Sequence, residues 1–429
     1  MITSIFTLSP AYLSIAFALA VALSLALKLW LSSRQIRHVA MHRKVVPEAF
    51  ATVVPLPAHQ KAADYTIAKS RFGLLSLAFD SALLLGWTLL GGLDLLNHFV
   101  RDSVLSAWGP MAYQLVLIGA FTLIGSLLDL PFSLYTTFRI EQQFGFNRMT
   151  LALYVADMLK GLLVGVLIGL PITALILWLM SAAGPYWWLW AWAAWVAFSL
   201  SLMMLYPTVI APLFNKFKPL ENDALVQRIQ ALMSRCGFAL KGLFVMDGSR
   251  RSAHGNAYFT GLGPAKRVVF FDTLLQRLQP GEVEAVLAHE LGHFKLKHVQ
   301  KRMLSLFAVS LGAFALLGWL STQVGFYTGL GVQPNMSAPN DALALLLLMM
   351  VVPVFSFFTT PFSSWLSRRH EFQADAYAKL HASAQELKSA LLKLHEDNAS
   401  TLTPDPLYAR FYYSHPPAVE RLAALGASA

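Results

Sequence analysis

Seven stretches of this chain, at about 11–32, 72–93, 108–130, 152–180, 187–206, 303–322 and 342–362, stay apolar for the roughly 20 helical residues that a bilayer core demands. No other feature restricts the fold so severely, because most of the polypeptide is then committed to helices in lipid. The fourth and fifth stretches can also be read as one long hairpin. Composition agrees: 56% of the 429 residues are hydrophobic and 13% are charged, and the mean hydropathy of +0.54 lies beyond what soluble proteins of this length reach. The first stretch runs into basic residues without a small-residue cleavage site, so it reads as a retained anchor and not a signal peptide.

Loop charge sets the expected orientation, since Lys and Arg resist translocation and collect on the cytoplasmic side. With the N-terminus outside, the three external loops hold one basic residue, Arg101. The first internal loop holds Arg34, Arg37, Arg43, Lys44, Lys61 and Lys69, and the second holds Arg139 and Arg148. The segment 207–302 is rich in basic residues, and Arg368 and Arg369 follow the last span. The net charge of +10 is therefore accounted for by topology and anionic headgroups, and a nucleic-acid partner is not expected. Cys236 is the sole cysteine, which excludes an intrachain disulfide and a thiolate metal cluster. It is expected to pack on an amphipathic helix face with Leu225, Ile229 and Leu232.

The chain divides into 1–206 (five spans), a polar block 207–302, the span pair 303–366 and a second polar block 367–429. Each polar block is small for a stable core, so one catalytic unit assembled from both is expected. In the first block, Glu221 to Arg235 has helical periodicity. Leu243–Met246, Asn256–Phe259 and Arg267–Phe271 read as short strands, the last two joined by a turn at Thr260-Gly261-Leu262-Gly263-Pro264. Asp272 suits the start of a short helix, and Pro280-Gly281 breaks the chain before a helix with Glu282 and Glu284 in its first turn.

That helix carries His289-Glu290-Leu291-Gly292-His293. Four-residue spacing stacks both imidazoles on one face, where they can share a metal ion, with Glu290 beside a metal-activated water. A solvated polar helix face is the plain alternative. A catalytic zinc takes three protein ligands and leaves a fourth position open. His298 is nearest in sequence, but five residues on a continuous helix turn it about 140° away from His293. His254, His370 and His415 stay open on residue type. Glu371 is the better candidate: it stands four residues before Asp375, so one carboxylate could bind metal while the other accepts the remaining ring N–H of a ligand histidine. An ordinary solvated helix would also carry such a pair.

The chain here resembles the type I CAAX prenyl protease family, seven-span integral-membrane zinc endopeptidases. The matching segments are Pro131-Phe132-Ser133-Leu134-Tyr135 through Phe138, Ile140-Glu141, Gly145-Phe146-Asn147, Tyr206-Pro207-Thr208, Pro212-Leu213-Phe214-Asn215-Lys216, Asn256-Ala257-Tyr258-Phe259, the zinc motif, Glu371 with Asp375, and Ser414-His415-Pro416-Pro417 with Glu420-Arg421. The resemblance implies a mainly α membrane protein with a cytoplasmic, zincin-like α+β catalytic domain carrying a small β-sheet, and a water-filled chamber enclosed by the helices. It implies one Zn2+ per chain held by His289, His293 and Glu371, with Glu290 as general base. The strand at Asn256, Ala257 and Tyr258 is similar to the family's substrate-pairing edge strand, although an interior strand would have the same sequence. For the oxyanion donor, His415 is the hypothesis and Arg421 the alternative; a helix-capping His and a salt-bridged Arg are the structural readings.

The expected function is zinc-dependent endoproteolysis at a membrane, of the type that removes the C-terminal tripeptide of prenylated CAAX proteins. A quality-control protease without prenyl specificity is the near alternative. A transporter or channel would need no carboxylate set between metal-spaced imidazoles. Asp157 and Lys160, three apart on one helix face, could line a polar interior, although helix–helix contacts would equally account for them. The Ala- and Leu-rich composition points to a bacterial inner membrane, with the endoplasmic reticulum membrane as the alternative.

Overall fold

The computed structural model describes residues 8–238, 242–260 and 267–426. Five helices open the chain: α1 (Pro10–His42), α2 (Leu56–Trp87), α3 (Gly92–Tyr135), α4 (Leu151–Ala182) and α5 (Trp187–Leu205). The expected boundary between the fourth and fifth stretches is real, since the chain turns at 183–186. Proline opens α1, where its missing N–H costs nothing. α3 is broken at Gly109 (φ 80°), with Pro110 following. π-helical turns close α3 at Thr136–Glu141 and α5 at Tyr206–Ile210.

The first polar block follows with α6 (Ala211–Phe214), β1 (Phe217–Pro219), α7 (Asp223–Arg235), β2 (Gly242–Met246), β3 (Ala257–Thr260), β4 (Arg267–Phe271), α8 (Asp272–Arg277) and α9 (Pro280–Lys295). Next come α10 (His298–Leu320), α11 (Val324–Thr328) and α12 (Asp341–Ser356). The second polar block has α13 (Thr360–His381), α14 (Ala384–Asp397), α15 (Pro406–Tyr412) and α16 (Ala418–Gly426). The strands form a sheet ordered β1-β2-β4-β3. β2 and β4 are parallel, both outer pairs are antiparallel, and Ala257 stands opposite Phe270. β3 is thus an edge strand. β1 has no sequence signature, because three residues ending in proline carry no alternation. The expected turn after Thr260 lies outside the described residues.

Among the described residues, six helical segments are long and apolar enough to cross a membrane: Pro10–His42, Gly92–Glu141, Leu151–Ala182, Gly184–Phe214, His298–Leu320 and Asp341–His381. Of the seven expected spans, the second is the one missing from this set. α2 is as long as the others, but Arg71 and Asp80 interrupt its apolar run.

The membrane half shares one core, including Phe17, Leu93, Tyr113, Leu117, Leu177 and Leu343. A buried polar knot ties it together away from the sheet. Tyr113 donates to Asn97, while Asn335 donates to Tyr113 Oη at 2.8 Å and accepts from Asn97 at 3.1 Å. Satisfying every member in this way is what makes such a network stabilising. A second core joins α7, α9, α14 and the sheet, and Cys236 sits in it beside Leu225, Ile229 and Leu232 as expected.

The halves are linked by ions. Arg251 grips Asp157 at 2.8 and 3.1 Å and donates to Asn215 at 3.0 Å. Lys160 instead donates to the Leu213 carbonyl at 3.1 Å, so Asp157 and Lys160 take separate partners and not each other. The two polar blocks meet where α9 packs on α13. A Cβ placed on Gly292 would stand 3.0 Å from both Ala374 Cα and Tyr377 Cβ and 3.2 Å from the Ala374 carbonyl oxygen. Any side chain at this crossing presses on the facing helix, and a large one cannot be absorbed by small shifts. Gly292→Leu is expected to wedge the helices apart at a cost of about 1–3 kcal/mol or more, seen as a lower thermal midpoint; an unchanged midpoint would exclude this packing.

Candidate active site

α9 is anchored at its start and loaded at its end. Pro280 occupies the first helical position, so Pro280-Gly281 opens the helix directly. Glu282 accepts from the Gln279 backbone N–H at 2.7 Å and, across the interface, from Lys393 at 2.7 Å and Ser389 at 2.5 Å on α14. One helical turn separates His289 from His293, and their Nε2 atoms stand 3.2 Å apart. Across the crossing, Glu371 on α13 brings Oε1 to 3.3 Å from His293 Nε2 and Oε2 to 3.5 Å from His289 Nε2. These three are the residues that form a compact donor cluster among those described.

The spacing has a physical meaning. When neutral, His289 donates Nδ1–H to Asp375 at 2.8 Å, which leaves its Nε2 as a lone pair facing a second imidazole nitrogen and a carboxylate. Lone pairs at such distances repel unless a cation sits among them. A tetrahedral ion with bonds of about 2.0–2.1 Å needs donors about 3.3–3.4 Å apart, close to the separations observed. Glu371 Oε2 is buried and has no hydrogen-bond partner, as a ligand oxygen would be. Electrostatics point the same way: burial works to lower the His289 pKa, yet the hydrogen bond to Asp375 and the neighbouring Glu371 carboxylate overcome it and push the group up to about 9. The site attracts positive charge.

Asp375 is itself clamped. Arg421 Nε donates to Oδ2 at 2.8 Å and Nη2 to Oδ1 at 2.6 Å, while Nη1 lies 3.7 Å from Glu371 Oε2. Arg421 is buried and fully engaged with carboxylates. His415 Nε2 lies 3.5 Å from Glu371 Oε1, with its side chain 67% exposed. Its loop is held by Arg368, which donates to the Tyr413 carbonyl at 2.6 Å, and the preceding α15 is tied at its start by Gln35 of α1, which accepts from the Asp405 N–H at 2.7 Å.

Glu290 and His415 open into a cavity of about 1270 Å³ that also reaches Tyr65 and Ser76 of α2. Asn256 and Ala257 line the same cavity, whereas Tyr258 lines a smaller one on the other side of the sheet with Phe244, as strand alternation requires. His254 and His370 are outside the donor cluster. His254 stacks on Phe146 and approaches Asn398 at 3.1 Å; His370 stacks on His298 at 4.0 Å. His298 corrects an expectation. It does not face away, because the helix ends at Lys295 and the chain reverses through Lys297 (φ 58°) before α10 begins. Its Nδ1 thereby comes 3.0 Å from His293 Nδ1. Nothing in Lys295-Leu296-Lys297 signals that break, since neither Gly nor Pro is present.

Two family models match: "CAAX prenyl protease N-terminal, five membrane helices" over residues 35–216 and "Peptidase family M48" over residues 219–429. The chain is 36% identical over 397 residues to the CAAX prenyl protease 1 homolog of Oryza sativa subsp. japonica, covering 91% of this chain and 92% of the relative. It is 33% identical over 457 residues to the Homo sapiens CAAX prenyl protease 1 homolog, covering 92% and 91%. A crystal structure of S. mikatae Ste24p superposes with a TM-score of 0.90 at 31% identity, covering 97% of this chain and 99% of that one.

The charge arrangement predicts the behaviour of Arg421. Arg421→Met leaves two buried carboxylates without their guanidinium, an uncompensated arrangement that costs on the order of 3–5 kcal/mol. Metal-stripped variant protein is expected to melt well below metal-stripped wild type, and a matching midpoint would show that Arg421 carries no structural charge role.

Proposed function

The chain belongs to peptidase family M48 in its membrane-embedded CAAX prenyl protease form, and from that premise we propose how its residues act. His289 and His293, through Nε2, and Glu371 hold one zinc ion, for which two imidazoles and a carboxylate are a suitable donor set. The observation that carries this reading is the triangle of donor atoms 3.2 to 3.5 Å on a side, open to a cavity that Glu290 and His415 also line.

When bound, zinc supplies a Lewis acid that polarises a carbonyl and lowers the pKa of water toward about 7. Glu290 takes the proton from the attacking water and returns it to the leaving amine. His415, at the cavity wall above Glu371, donates to the oxyanion of the tetrahedral state. Arg421 is committed to Asp375 and Glu371, so its role is to hold those carboxylates in place. Asp375 fixes the His289 ring. The free edge of β3 at Asn256, Ala257 and Tyr258 holds the peptide extended by backbone pairing.

The substrate we propose is a peptide or protein carrying a CAAX-type, prenylated C-terminus, the chemistry named for the relatives. α2 is proposed as a seventh span: Tyr65, Thr66, Lys69, Ser70 and Ser76 line the cavity, which gives these polar residues a watered face on a helix long enough to cross. Loop charge favours the cytoplasm for the active site, and the alternation of apolar spans and polar blocks supports the divisions 1–206, 207–302, 303–366 and 367–429. The relatives come from plants, yeasts and animals, and lend no support to the bacterial placement drawn from composition.

Glu290→Gln is expected to retain one zinc per chain while cleavage of a farnesylated CAAX peptide falls by at least about 10²–10⁴-fold; undiminished cleavage would end the general-base assignment. His415→Ala should lower kcat by about 10²–10³-fold with little change in KM. A variant that changes KM alone would assign His415 to substrate binding instead.

A further inference from the structure

We propose that His298 and Gln373 form a directional hydrogen-bond relay that selects the metal-binding tautomer of His293. The proposal rests on the reading that His293 binds metal through Nε2. The two ligand histidines are supported differently: His289 has Asp375 behind it, an acceptor that can take only one kind of bond, whereas His293 has another imidazole.

Two facing ring nitrogens 3.0 Å apart share one proton, and which ring owns it decides whether the site works. His298 Nε2 stands 2.9 Å from Gln373 Oε1. A carbonyl oxygen accepts, so His298 carries its proton on Nε2 and presents a bare Nδ1. That nitrogen then accepts Nδ1–H from His293, whose Nε2 is left as a lone pair aimed at His289 Nε2 and Glu371. The opposite polarity fails. If the Gln373 amide turned its NH2 toward His298, His298 Nδ1–H would donate to His293 Nδ1 and the neutral His293 ring would carry its proton on Nε2, where it blocks a cation.

The surroundings hold His298 in this position. It is 4% exposed, and its ring lies flat on His370 at 4.0 Å with 9° between planes. The reversal at Lys297 points it back at the motif. Gln373 stands two residues after Glu371 on α13, so one helix delivers both the third ligand and the acceptor that sets the tautomer of the second. Gln373 is itself exposed, which makes its substitution mild for folding.

The test is metal release from the purified full-length protein into excess chelator, with thermal midpoints recorded alongside. Gln373→Leu removes the acceptor and His298→Phe keeps a stacking ring without a nitrogen; both are expected to release metal about 10–100-fold faster than wild type. Gln373→Glu can only accept, and His298→Asn can place an oxygen near the Nδ1 position; both should stay within a few-fold of wild type. Wild-type retention by Gln373→Leu and His298→Phe overturns the relay. Equal loss in His298→Phe and His298→Asn also overturns it, since that pattern reports packing alone. Glu371→Ala separates the two levels: if it holds metal as tightly as wild type, the ligand assignment itself is wrong, whatever the relay variants do.

Discussion

The close crossing of α9 over α13 is the contact on which the rest of the molecule depends. At Gly292 even a Cβ would press on Ala374 and Tyr377, and the next residue on α9 is a donor histidine. Any greater separation would move Glu371 off both imidazoles at once. The crossing also joins segments about 80 residues apart in sequence, so α10 to α12 serve to bring α13 back to the sheet side. Helix packing is bistable more than elastic, which is why one missing Cβ can govern a site's geometry.

Around that contact, charge is layered. Glu371 and Asp375 are both buried, a costly arrangement for two carboxylates unless cations meet them. Arg421 answers Asp375 with two hydrogen bonds and reaches toward Glu371. The same two carboxylates raise the proton affinity of His289, so the donor triangle favours a cation. Further out, Arg251 with Asp157 and Arg34 with Asp405 fasten the catalytic part to α4 and α1. The site is therefore held by the membrane helices as well as by its own core.

The legible part of the site was its local chemistry. His289, Glu290 and His293 are recognisable because four residues is one helical turn, and Glu371 with Asp375 obeys the same arithmetic. The strands around β2 and β4 were visible in their Val- and Phe-rich runs. His298 failed because the arithmetic assumed one continuous helix, and the break at Leu296–Lys297 has no sequence marker. The partners of Asp157 and Lys160 were hidden for a different reason: Arg251 and the Leu213 carbonyl reach them from segments more than 50 residues away. Nor does the sequence show that Arg421 meets Asp375 with two hydrogen bonds and reaches toward Glu371, since its partners lie about 50 residues away.

By itself, the sequence determined that this polypeptide enters a bilayer repeatedly and that one of its helices displays a metal-competent histidine pair, because hydrocarbon thickness and helical pitch are properties of short segments. Only the tertiary structure decided which distant carboxylate completes the donor set, which side chain stands behind each imidazole and which strand edge lies free. Those outcomes depend on how helices cross and where chains reverse. Such choices are made by packing among residues that no local pattern connects.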